Sequence, residues 1–172
     1  FQDPLDSLPQ SPVYRGVQSE ELLFPRGPLL ERGEASTALR FELVEVADAE
    51  RYRVELYRHE GGAFAEGPRV EQLEGSVDEL TLGALPAGHY TWKAWARVRG
   101  LEQALGARDF EVRADAELAG RLAALDEDAS VAEIVEEIRA LDAAGFVTDA
   151  RALARTLPER GERDAYLRPP GR

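Results

Sequence analysis

An all-β antiparallel sandwich followed by a small C-terminal α-helical segment is the fold class this sequence predicts, and three observations carry it. From Phe41 to Leu56 the apolar residues alternate at period two, break at the polar turn Ala47-Asp48-Ala49-Glu50, and resume. From Tyr90 to Val98 the alternation is strict, with Tyr90, Trp92, Ala94, Ala96 and Val98 on one side and Thr91, Lys93, Trp95 and Arg97 on the other. Beyond Arg113 the spacing changes to three and four, the period of a helix.

Residues 1–20 carry three prolines among polar residues and no sustained period, so they predict an extended tether, in which Val13 to Val17 is able to pair as a first strand. The β domain is expected over 21–113. Leu22 to Phe24 stand before Pro25, and a proline there favours an edge strand. Ser36 to Val46 gives the next strand and Arg51 to Arg58 the third. The stretch from His59 to Leu80 is rich in Gly and Glu, with Phe64, Val70 and Leu73 as scattered anchors, and reads as a loop with a weak edge strand. Glu79 to Leu82 is a further strand, Gly83 to His89 a turn, Tyr90 to Val98 the sixth strand, Gly100 to Ala107 a turn, and Arg108 to Arg113 the last strand with Phe110 and Val112 inward. Tyr52, Val54, Tyr90, Trp92, Phe110 and Val112 are the expected core.

The helical part is expected over 114–158, as a hairpin or three short helices, with a flexible tail over 159–172. Leu118, Leu122 and Leu125 form one stripe, and Val131, Ile134, Val135, Ile138 and Leu141 a second. Ser130 with Glu133 makes a capping box, Gly145 is placed to end that helix, and a third helix is expected from Thr148 to Leu157 before Pro158.

Phe41-x-Leu43-x-x-Val46-x-x-Ala49-x-x-Tyr52-x-Val54 resembles the second and third strands of fibronectin type III-like domains of bacterial envelope proteins, although an aromatic commonly stands where Leu43 does. Leu85-Pro86-Ala87-Gly88-His89-Tyr90-x-Trp92 is similar to the lead into the sixth strand of such domains, and Gly106 to Val112 to the seventh, so the likeness spans about residues 22–113. The turn Gly145 to Ala150 resembles the inter-helix turn of one tetratricopeptide repeat. Together the resemblance extends to the periplasmic portions of anti-sigma-factor-like membrane proteins. It implies a periplasmic or extracellular bacterial location and a sensory or docking task.

Chemistry is sparse. The formal charge of −12 argues against a nucleic-acid partner, which needs a concentrated basic surface. Without cysteine there is neither a thiolate nucleophile nor a disulfide framework. The start at Phe1 and the lack of Met suggest a processed piece, and no run of 18 apolar residues occurs, so a membrane is expected only through a segment outside this sequence. His59 and His89 read as surface or turn residues, since no motif sets either beside a nucleophile. Asp126, Glu127 and Asp128 lack the alternation of a calcium loop, Glu136 and Glu137 diverge on a helix, and Gly61-Gly62 fits a hairpin turn. No enzyme, cofactor or metal is expected.

The informative surface is the outward side of the third and sixth strands. There Arg51, Arg53, Glu55 and Tyr57 should lie beside Thr91, Lys93, Trp95 and Arg97, so that Trp95, Tyr57, Arg53, Lys93 and Arg97 are the candidate partner-binding residues. A protein partner is the leading expectation, and a glycan stacked on Trp95 and Tyr57 a weaker one. The competing expectation is that the helices cover the strip. Residues 114–144 hold nine acidic and two basic side chains, and a tryptophan is more often buried than not. That covering is favoured. The leading functional expectation is thus a non-catalytic extracytoplasmic interaction module. The alternative is an accessory subunit of a larger envelope complex, attached through its N-terminal segment.

Overall fold

A computed structural model describes residues 22–32, 39–60, 66–157 and Leu167. The expected tether, its strand at Val13 to Val17, the C-terminal tail, Gly61-Gly62 and Phe64 lie outside these residues. The described chain is mostly β-sheet, with three helices at its C-terminal side.

The strands are β1 (Leu22–Phe24), β2 (Gly27–Leu30), β3 (Leu39–Arg40), β4 (Glu42–Leu43), β5 (Ala49–His59), β6 (Glu66–Gly75), β7 (Thr81–Leu82), β8 (Gly88–Val98) and β9 (Leu101–Arg113). A five-stranded sheet has the order β2-β9-β8-β5-β6, while β1-β4 and β3-β7 form two-stranded pairs. Side chains from the short pairs, such as Leu22, Leu43 and Leu82, and Phe41 between β3 and β4 share one hydrophobic cluster with the inward side of β5, β8 and β9. Trp92 is fully buried at its centre, edge-on to Phe41 at 5.0 Å, and its indole N–H donates to the Pro25 carbonyl at 2.8 Å. Every residue of the expected core is buried.

Four expectations about the β part need correction. The first edge strand ends before Pro25 as expected, but a further strand follows it: β1 pairs with β4, and from Gly27, with φ of 65°, β2 pairs with β9 in parallel. The sheet is therefore not wholly antiparallel, because the chain changes partners at a residue that cannot donate to a ladder. The stretch after Arg58 is not chiefly loop, since β6 pairs along β5 from Tyr52↔Gly75 to His59↔Glu66. Its charged residues hid a strand exposed on much of its length. The segment from Gly100 to Ala107 is likewise strand. The turn is only Arg99 and Gly100, with φ of 51° and 76°, a two-residue hairpin that the right-handed twist favours. Finally, Val77–Glu79 is a single 3-10 turn, leaving β7 only two residues.

The helices are α1 (Ala116–Ala124), α2 (Val131–Ala143) and α3 (Val147–Ala154). Asp115 caps α1 by accepting from the Leu118 N–H at 3.1 Å, and the Ser130–Glu133 capping box opens α2 as the sequence predicts. Gly145, with φ of 89°, ends α2. Val135, Ile138 and Leu141 pack with Phe146, Ala150 and Ala154, and Leu30 of β2 joins this second cluster. Val131 departs from the expected stripe and is 45% exposed at the helix start.

The helices do not cover the outward face of β5 and β8. They pack on β2 and β3 instead, through α3. The reason lies in backbone donors at the edge strand. Asp149 accepts from the Leu30 N–H at 2.8 Å and from the Arg32 guanidinium. Thr148 accepts from the Arg26 N–H at 3.1 Å and donates to the Arg26 carbonyl at 2.7 Å. Arg151 and Arg155 both reach Glu42 on β4. Arg26 and Arg151 hold guanidiniums over the Phe24 ring at 4.9 and 4.5 Å, and burial lowers the pKa of both. Burial pushes the Asp149 carboxyl above the usual aspartate range, against the opposing pull of Arg32.

Candidate interaction face

The register of β5 with β8 brings the expected residues together. Arg53 lies opposite Trp95, Glu55 opposite Lys93, Tyr57 opposite Thr91 and Arg51 opposite Arg97. Alternation then sends these side chains outward while Tyr52, Val54, Leu56, Trp92 and Ala94 fill the core. Trp95, Tyr57, Arg53 and Lys93 are half-buried and Arg97 is exposed.

Each aromatic is met by a cation. The Arg53 guanidinium lies 4.4 Å from the Trp95 ring centroid, and the Lys93 ammonium 4.8 Å from that of Tyr57. The Tyr57 hydroxyl donates to Glu55 at 2.6 Å.

The strip is not a basic surface, although the outward residues of β5 and β8 alone, Arg51, Arg53, Lys93 and Arg97 against Glu55, would make it one. Arg53 pairs with Glu102 of β9 and lies 3.7 Å from Glu55; Arg69 of β6 reaches Glu55 at 3.3 Å. Arg51 pairs with Glu74 of β6 at 3.3 Å, and Arg97 with Glu50 at 3.7 Å. Charges therefore cross four strands in a lattice that is close to neutral, which removes the attraction expected for acidic helices. Sequence reasoning missed Glu74, Arg69 and Glu102 because it placed β6 and the first half of β9 in loops. The alternating polar residues Gln72 and Glu74, paired with Glu55 and Arg53, were the available signal.

At the other end of this outward face both histidines of the chain meet. His59 ends β5 and His89 is the second residue of β8, so neither sits in a loop or turn. They border one open depression of about 360 Å³, together with Gly27, Pro28, Asp109 and Glu111. His59 Nε2 is 2.6 Å from the Thr91 hydroxyl, which donates to Asp109 of β9. His89 lies opposite Glu111. The Arg113 hydrogen bond, with a smaller contribution from His89, holds Glu111 below the usual carboxylate range. Among the described residues no group of three or more His, Asp or Glu side chains is gathered closely enough to hold a metal ion.

The His59, Thr91 and Asp109 row is not arranged for nucleophilic catalysis. In a nucleophile–base–acid constellation the imidazole stands in the middle, oriented by the acid. Here the hydroxyl stands in the middle and Asp109 holds it. Comparison with protein families, with curated proteins and with solved structures finds no match for this chain.

Proposed function

We propose that the chain is a non-catalytic protein-interaction module that works outside the cytoplasm. In this reading the five-stranded sheet and the short strand pairs form a fibronectin type III-like sandwich, and the outward face of β5 and β8 receives the partner. The support is the row of Arg53, Trp95, Lys93 and Tyr57, which lies in register on a sheet face that the helices leave uncovered. Trp, Tyr and Arg are the residues enriched where binding energy concentrates. A lattice of mutually paired charges around them disfavours a merely electrostatic, non-selective partner. Shape and aromatic contact then set the affinity, with the ion pairs as a polar rim.

The extracytoplasmic placement is supported by the likeness of the Phe41 to Val54, Leu85 to Trp92 and Gly106 to Val112 stretches to envelope domains. The absence of cysteine makes it directly testable. A single cysteine placed at exposed Gln103 should react in intact cells with a membrane-impermeant maleimide; labelling only after lysis would reject that placement. For the face itself, a photo-crosslinking residue at Arg97 should give a discrete protein adduct in cells. The same residue at Glu117 on α1 should not. Adducts arising only from positions within residues 1–20 would instead favour an accessory subunit held by its N-terminal segment.

A further inference from the structure

We propose that His59 is a proton-operated switch at the histidine end of this face. When its ring takes a second proton, it leaves the Thr91–Asp109 chain and turns into the adjoining depression.

Thr91 has one hydroxyl proton, and it is directed at Asp109, whose carboxylate has none to give. The Thr91 oxygen can then only accept from His59, across the 2.6 Å contact, so the neutral ring carries its proton on Nε2. Nδ1 is left as a bare lone pair. It is sealed from solvent and has no hydrogen-bond partner. A second proton must go to this nitrogen, which creates a buried N–H without an acceptor. That arrangement carries the full desolvation penalty of an unsatisfied donor, made worse by charge.

The protonated ring has somewhere to go. The depression beside it holds Asp109 and Glu111, and Asp109 Oδ1 is already 4.0 Å from Nε2. Asp109 is largely exposed, so it can follow the ring at small cost. Among the described residues, the charged and titratable groups around the ring are Glu60, which follows it in the chain, Arg69 on the neighbouring β6, His89 and Lys93 on β8, and Asp109 and Glu111 on β9. Arg69 is held by Glu55 and Gln72, and β2 contributes only Gly27 and Pro28 to the depression. Because the chain of hydrogen bonds crosses β5, β8 and β9, its rupture alters three neighbouring strands at once. Imidazole is the side chain that ordinarily changes charge between pH 5 and 8. The consequence for partner binding rests on the reading of this face as an interaction surface; the switch itself does not.

Nitrogen-15 imidazole spectra of the full chain, without any partner, test the switch separately from the crosslinking above. At neutral pH, His59 should show the Nε2–H tautomer. On acidification its ring signals and the backbone amides of Thr91 and Asp109 should move with one midpoint, while amides at Trp95 stay still. In Asp109→Ala the Thr91 proton is no longer committed, and a measurable share of the Nδ1–H tautomer should appear. Thr91→Val should abolish the coupled movement of Asp109. An Nδ1–H tautomer in the unaltered chain, or a His59 titration that leaves Thr91 and Asp109 unmoved, overturns the proposal. A crosslink at Arg97 in cells would then still stand.

Discussion

Trp92 and Trp95 stand three positions apart on one strand, and opposite faces give them opposite energetic roles. Trp92→Ala removes a fully buried ring together with its bond to the Pro25 carbonyl, and should cost about 3–5 kcal/mol in equilibrium denaturation. Trp95→Ala removes a half-buried ring and one cation–π contact, for an expected loss of about 1 kcal/mol or less. Equal losses would mean that the strand faces are assigned wrongly. Asp149 carries a different residue-level consequence, because burial raises its pKa in the folded chain. Folding therefore favours its protonated form. The associated stability is complete below the ordinary aspartate range and declines as pH rises through the raised folded value. Asp149→Asn, which cannot ionise, should flatten that decline. Asp149→Ala should cost about 3–5 kcal/mol at neutral pH, since it strands the buried Leu30 N–H and the Arg32 charge. Denaturation of all three proteins from acid to neutral pH measures both effects.

At the scale of the element, β6 is the most informative strand. Gly67 lies so close to β5 that an added Cβ would sit 2.0 Å from the Arg58 carbonyl oxygen. Gly67→Ala should thus open the β5–β6 hairpin at a cost of at least about 1–3 kcal/mol, seen as faster amide exchange along β6 with β8 and β9 unaffected. Pro68 and two register irregularities also interrupt this strand, which limits strand addition at the sheet edge. The same features explain why it was hard to read in the sequence. Strands buried on one face, β5 and β8, announced themselves by alternation, and with them came the outward row at Trp95 and Tyr57. Strand β6 lies at the edge, with only Leu73 packed on the core, so its period was weak. The first half of β9 was masked in the same way by Leu101, which is 75% exposed at the hairpin. Helix stripes and caps were legible because they depend on local spacing. The placement of the helices was not, since it follows from backbone donors on β2 that become visible only once β2 is known to be an edge.

For the whole molecule, the joint at α3 decides what the helices do. The described helices pack on the β2 side and not on the outward face of β5 and β8, so removal of residues 114–172 should not change how easily iodide quenches Trp95 in a Trp92→Phe background. A marked rise in quenching on truncation would show that the helices shield that face after all. The parallel pairing of β2 with β9 has a mechanical consequence. A tension applied between residue 22 and residue 113 draws these two strands past each other lengthwise, so that the ladder from Gly27↔Phe110 to Leu30↔Arg113 is loaded in shear and its bonds must fail together. An antiparallel hairpin pulled at its open end would instead unzip one bond at a time. Moving the second attachment from residue 113 to residue 157 brings the Thr148 and Asp149 contacts to Arg26 and Leu30 into the same load path. In single-molecule stretching, the rupture force should then rise, and fall back in Asp149→Ala.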